Sequence, residues 1–294
     1  MEKSVNRIYG FLRKYVFWPL FRILSSAIVG TGVVWLFLEP YFFITKTTEV
    51  PYSFWSFIVF AGFIGFGWFL FNGYCLAGYL KRSVVIRGHS DTSITIKFGN
   101  IFKQKGWKAI SVNDFFDSKV DGEVIDSSSL HGQVIKEYWQ DDGRAWKQAI
   151  STSLEKTETI EKAPSRSKGN QLRYPIGTTA SNRDKKFLFV ALGQTDPKTH
   201  EVSANAESLI QAVKGLIKTA RATCGNDPLF IPLMGSALGR VPGNQIVVTN
   251  LILTAIFEEA GEKKVTAPIT LVLPPNNPDG INLQSIAVGW KKHG

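Results

Sequence analysis

Hydrophobic and polar positions along the chain fall into two regimes that meet near residue 82. Val50 to Leu80 is a run of 31 residues without one charge, rich in Phe, Gly and Trp. A helix of about 20 apolar residues crosses a bilayer core, so Tyr52 to Leu80 is long enough to span with some tilt or interfacial overhang. Ile23 to Leu38 is uncharged over 16 residues and reaches spanning length by continuing through Pro40 to Ile44. The pattern predicts a hairpin of two transmembrane helices, about 20–44 and 52–80. A secretory signal is the competing reading, but the basic flank (Lys3, Arg7, Arg13, Lys14, Arg22) is long and no small-residue cleavage site follows.

Beyond residue 82 short β-rich runs alternate with polar turns. Ser93–Phe98 alternates with period two, like a half-buried strand, and Gly99-Asn100 reads as a turn. Trp107–Val112 is a second strand, Gly132–Trp139 a short helix, and the polar stretch 140–170 a helix plus a mobile insertion. Lys186–Leu192 predicts a buried strand. Ser203–Thr223 carries one apolar stripe (Leu209, Ile210, Val213, Leu216, Ile217, Ala220) and predicts an amphipathic helix. Leu229–Leu233 is a strand, Asn244–Glu259 a helix stopped by Gly261, and Pro268–Leu273 a last strand. Strands alternating with helices predict an α/β fold over residues 83–294: three layers, α/β/α, around a mixed, largely parallel sheet.

Charge sharpens this division. Residues 1–82 hold 8 Lys/Arg and 3 Asp/Glu, the remainder 26 and 21, so each part carries +5 of the total +10. Basic residues flank the hydrophobic runs, while their connection holds only Lys46, which by the positive-inside rule puts both termini of a multi-pass chain in the cytoplasm. The +5 of the second part suits an anionic ligand but is too diffuse for nucleic acid. Two cysteines, Cys75 and Cys224, make neither a disulfide framework nor a metal site.

In such a sheet, ligands bind outside the carboxyl ends of the strands. Two loops there have the right character. One runs from Asn113-Asp114-Phe115-Phe116-Asp117 to Ser129-Leu130-His131-Gly132. The other is Met234-Gly235-Ser236-Ala237-Leu238-Gly239-Arg240-Val241-Pro242-Gly243-Asn244. Glycines admit close backbone approach, N–H groups at a helix start hold phosphate, and Arg240 adds a charge. A plain turn is the alternative for each loop; the pair together favours a pyrophosphate-bearing ligand. Gly193-Gln194-Thr195-Asp196-Pro197 closes another strand, with turn and ligand contact about evenly balanced for Gln194 and Thr195.

These motifs, in this order over roughly 90–290, resemble a macro domain, the module family that binds ADP-ribose. Two membrane helices joined to a macro domain resemble, more narrowly, the ThsA effectors of bacterial Thoeris anti-phage systems. The resemblance implies a signal made from NAD by a TIR-domain partner, here an ADP-ribose conjugate (histidine–ADP-ribose). It also implies self-assembly into a homo-oligomer and disruption of the lipid bilayer, with the chain in the bacterial inner membrane; the expectation is a gated effector rather than an enzyme, with no cofactor and no metal. It places Asn113 and Asp114 near the adenine or distal ribose, and Ser129, Leu130, His131 and Gly132 with Gly235, Ser236, Ala237, Leu238, Gly239 and Arg240 around the pyrophosphate. The sequence departs from the family where glycines give way to Ser-Leu-His-Gly, where Phe115 or Phe116 replaces a second Asn, and where Arg240 or Val241 stands in place of a stacking aromatic.

A membrane-tethered ADP-ribosyl hydrolase using Asn113, Asp114 and His131 is the rival reading, and a plain membrane-anchored scaffold the third. His131 is the one histidine at a loop of interest; His89, His200 and His293 read as solvated surface. Asp114 and Asp117 form either a carboxylate pair or, as loop acids after a strand usually do, backbone caps.

Overall fold

The computed structural model describes isolated helical positions between 25 and 44, then residues 54–70, 83–88, 92–155, 157–164, 166–235, 244–275 and 281–291. By packing, the chain separates into two compact units, Met1–Lys81 and Arg82–Gly294.

In the first unit the described helix is α1 (Phe54–Leu70), 17 residues without a charge. Among the described residues no helix is long and apolar enough to cross a membrane. The expected transmembrane hairpin is therefore unsupported, and the multi-pass inner-membrane placement with cytoplasmic termini is withdrawn with it. The described helix covers Phe54–Leu70 of the predicted second span. Residues 71–82, and most of 1–53, lie outside the described residues.

The second unit is built on a mixed eight-stranded sheet. Its strands are β1 (Ser83–Arg87), β2 (Ser93–Phe98), β3 (Trp107–Asn113), β6 (Thr179–Asn182), β7 (Phe187–Thr195), β8 (Val202–Ser203), β9 (Leu229–Pro232) and β10 (Ile269–Leu273). Two further short strands, β4 (Glu161–Lys162) and β5 (Leu172–Arg173), pair only with each other. The order is β1-β2-β10-β9-β3-β7-β6, with β8 on β7. The five central strands run parallel; β1 and β6 close the edges antiparallel. This is the expected three-layer α/β/α architecture with a largely parallel sheet.

The parallel strands are buried on both faces and accordingly read as apolar runs; in β7 eight of nine residues are buried. One face carries α4 (Ala206–Thr223), α5 (Gln245–Glu262) and α6 (Leu283–Lys291), whose Leu209, Val213, Ile252 and Ile286 join Ile94, Leu188 and Leu271 in one core. The other carries α2 (Leu130–Trp139) and α3 (Gly143–Leu154), which bury Ile135, Trp146 and Ile150 against Ile110, Phe187 and Phe189.

Sequence expectations and structure differ in two instructive places. α5 passes through Gly261 to Glu262 rather than stopping at the glycine, because the glycine adopts helical backbone there. The polar stretch after α3, expected to be mobile, is tied down by two ion pairs, the fully buried Asp117–Arg166 and the half-buried Asp114–Arg173.

Candidate functional site

The site begins with where β3 and β9 part. They pair only through Trp107↔Leu229 and Lys108↔Phe230, whereas β3 and β7 stay in register out to Asn113↔Gly193. Past Phe230 a crevice opens beside β3. The chain leaves β3 toward α2 on one face and leaves β9 toward α5 on the other. Divergence of this kind at neighbouring parallel strands makes a topological switch point, where α/β sheets bind ligands.

Two backbone elements border the crevice. Ser129 caps α2: its hydroxyl accepts from the Gly132 N–H at 3.0 Å and donates to the Asp126 carbonyl at 2.6 Å. The N–H groups of Leu130 and His131 have no acceptor within the helix, and the positive helix end adds to their pull on an anion. Leu130 is half-buried over Phe230 and Val272. Gly132 is needed for the loop itself, since a Cβ there would stand 2.4 Å from the Asp126 carbonyl oxygen. On the other side Gly235, half-buried with φ +79°, turns the chain out of β9. Ser236, Ala237, Leu238, Gly239 and Arg240 lie outside the described residues, which resume at Asn244, the cap of α5 (Val247 N–H to Oδ1, 3.0 Å).

The first loop departs from the sequence expectation in how its polar groups are used. The Asn113 amide donates to Asp117 Oδ2 at 2.6 Å and accepts from the Asp117 N–H at 3.0 Å. Asp114 is 1% exposed: Oδ1 accepts from the Thr195 N–H at 3.0 Å and Oδ2 from Arg173 Nε at 2.7 Å. Burial pushes its carboxyl pKa up, against the pull of Arg173 and the Thr195 N–H. Asp117 is gripped by both terminal nitrogens of Arg166, at 2.8 and 2.7 Å, with neither side chain exposed. Thr195 is buried and engaged through its N–H; Gln194 is exposed and pairs with Ser203. Asn113, Asp114 and Thr195 thus hold the loop together, and the Asp114/Asp117 choice falls to structural bonding.

His131 points inward, 6% exposed, its ring 5.0 Å from that of Trp146. Burial lowers its pKa to about 4, only partly opposed by the charge of Asp117. It is neutral at pH 7, and its Nε2 has no hydrogen-bond partner. Cys224 is buried, and burial pushes its thiol up to about 12; among the described residues no cluster of ligating side chains could hold a metal.

Sequence reading misses Arg166, Asn170 and Arg173, which lie in or just beyond the stretch that reads as mobile. Arg166 also lies 4.1 Å over the Phe115 ring, and the Asn170 N–H reaches Asp117 Oδ1 at 2.6 Å. Gly169, at φ +84°, admits the carboxylate: a Cβ there would be 2.3 Å from Asp117 Oδ1. The available signal is charge complementarity, two arginines downstream of two loop acids, which has no period.

The sheet order, the two helical layers and the strand-edge crevice define a macro-like α/β protein. The family described as Thoeris protein ThsA, Macro domain, matches residues 94–274, and the chain belongs to it. It is 29% identical over 204 residues to the Thoeris protein ThsA of Bacillus amyloliquefaciens (strain Y2), covering 66% of this chain and 67% of that one. Among solved structures it is similar to a point mutant of the Oceanobacillus iheyensis macrodomain with ADPR (TM-score 0.47, 13% identity, covering 72% of this chain and 97% of that one). A Trypanosoma brucei macrodomain in complex with ADP-ribose is also similar (TM-score 0.42, 10% identity, 68% and 69% covered).

Proposed function

We propose that this protein is a nucleotide-gated effector of Thoeris anti-phage defence. Residues 83–294 sense an ADP-ribose-derived signal, histidine–ADP-ribose, made by a TIR-domain partner. Binding drives self-assembly, through which residues 1–82 act. The observation that carries this reading is the β9/β3 crevice, bordered by the N-terminus of α2 and by Gly235, in a chain of the ThsA macro family. A helix start and a glycine turn facing one crevice suit a pyrophosphate.

Binding is favoured over turnover by the chemistry of the first loop. Asn113, Asp114 and Asp117 are engaged with one another or with arginines, and His131 is buried and neutral. General acid–base work needs a group within hydrogen-bond reach of the substrate; the three loop side chains are already bonded, and His131, whose Nε2 has no hydrogen-bond partner, is buried.

Calorimetric titration of ADP-ribose and histidine–ADP-ribose into the full chain, with size analysis of the same samples, tests the proposal. Tight binding of the conjugate with growth into larger assemblies is expected. Leu130→Glu, which sets a carboxylate at the helix start, should weaken binding roughly tenfold or more, about 1.4 kcal/mol per decade. No heat from either compound would sink the reading.

A further inference from the structure

The segment that straps the β3 loop also encloses space. A cavity of about 320 Å³ lies between α3 and residues 157–174, on the α2/α3 side of the sheet and apart from the crevice. Its buried floor is aromatic: Phe115 and Phe116 from the β3 loop, and Tyr174, which meets Phe116 edge to face at 5.3 Å. Ile150 and Leu154 of α3 form the facing apolar wall.

The mouth has a different character. Ser151, Thr157, Thr159 and Gln171 are half-buried or exposed and offer neutral donors and acceptors. Two charges reach the lining, Lys147 and Glu155, but they stand eight residues apart along α3 and its cap, about 12 Å along the axis. Lys147 Nζ already holds the Asn170 amide oxygen at 2.7 Å. A phosphate needs convergent cations or N–H groups, and this lining has none. Its volume sits at the lower end of small-molecule sites.

The walls are held by the fold rather than by a guest. The Asp117–Arg166 and Asp114–Arg173 pairs fasten residues 166–174 to the β3 loop, and Asn170 Nδ2 donates to the carbonyls of Phe115 at 3.1 Å and Phe116 at 2.5 Å. A preformed slot with an aromatic floor, an aliphatic wall and a neutral polar mouth suits a planar ring whose edge carries hydrogen-bonding atoms.

We infer that this cavity is a second binding site, separate from the crevice, for one uncharged heteroaromatic ring of nucleobase or nucleoside size. The ring lies against Phe116 and Tyr174, with its polar edge toward Thr159 and Gln171. Because Phe115 and Phe116 directly follow Asn113 and Asp114, an occupant also braces the loop that borders the crevice. This inference stands independently of which nucleotide the crevice takes.

The test uses adenosine as the probe, titrated calorimetrically into the full chain in the presence of saturating ADP-ribose. Binding is expected for the wild-type protein. It should be lost in Ser151→Trp and in Thr159→Trp, which fill or cover the mouth from two segments, while both variants keep the thermal transition and the ADP-ribose affinity of the wild type. No adenosine heat, or adenosine displaced by ADP-ribose and bound equally by both variants, would overturn the site. Should ADP-ribose itself fail to bind, the proposed function falls, and the adenosine titrations of free wild-type and variant chains still decide the cavity.

Discussion

At the scale of single residues, the loop after β3 is governed by burial of charge. Removing one partner of a buried ion pair leaves an uncompensated charge and costs about 3–5 kcal/mol. Arg166→Met is therefore expected to lower unfolding free energy by about that much in chemical denaturation, and Asp117→Leu/Arg166→Met to recover part of it. His131 acts through protons instead. Its folded pKa of about 4 lies below the ordinary histidine value of 6.5, so the unfolded chain binds the proton first as pH falls. Its contribution to stability is complete above pH 6.5 and declines toward pH 4, by about 3 kcal/mol at most. Asp114, whose carboxyl is raised by burial, works in the opposite direction as pH falls. A comparison isolates the histidine: His131→Phe should flatten the stability profile between pH 6.5 and 4, measured by denaturation at each pH. An unchanged slope would show that His131 is not the titrating group.

At the scale of elements, periodicity was legible and pinning was not. The stripe Leu209, Ile210, Val213, Leu216, Ile217 and Ala220 marked α4, and all but the half-buried Ile210 are fully buried. The alternation of Ser93–Phe98 marked β2, with Ile94 and Ile96 inside. By contrast β4, β5 and β8 have two residues each and carry no period to read. Residues 157–174 are largely polar, and long-range bonds to Asp114, Asp117 and the Phe115 and Phe116 carbonyls help to order them. A further contact invisible in sequence sets where α4 lies. Gly215 faces Gly177 so closely that a Cβ would stand 2.1 Å from the Gly177 carbonyl oxygen. Gly215→Ala must push the helix off the chain before β6, at a cost of about 1–3 kcal/mol by overpacking. The gain in helix propensity would otherwise stabilise the protein, so a lowered melting temperature discriminates the two effects.

At the scale of the whole molecule, the two units differ in what supports them. Arg82–Gly294 has cores on both faces of its sheet. A chain beginning at Arg82 is expected to unfold cooperatively and to bind ADP-ribose as the full chain does; a broad, non-cooperative transition would show that it depends on residues 1–81. Membership of the Thoeris ThsA macro family rests on this unit, since the match spans 94–274. Hydropathy alone suggested that the first unit crosses a bilayer; among the described residues no helix is long and apolar enough to do so.

By itself, the sequence determined the α/β class and the main strands and helices of the second unit. Those features follow from local periodicity and from turn residues, which act over a few positions. Only the tertiary structure decided what Asn113, Asp114 and His131 do. Asp117, the partner of Asn113, meets Arg166 across 49 residues, Asp114 meets Arg173 across 59, and His131 packs on Trp146 from the next helix. Burial gave Asn113 and Asp114 partners within the fold and packed His131 against Trp146. Low dielectric surroundings reward pairing far more than exposure would, so the same residues that read as chemistry in the sequence serve as structure in the fold.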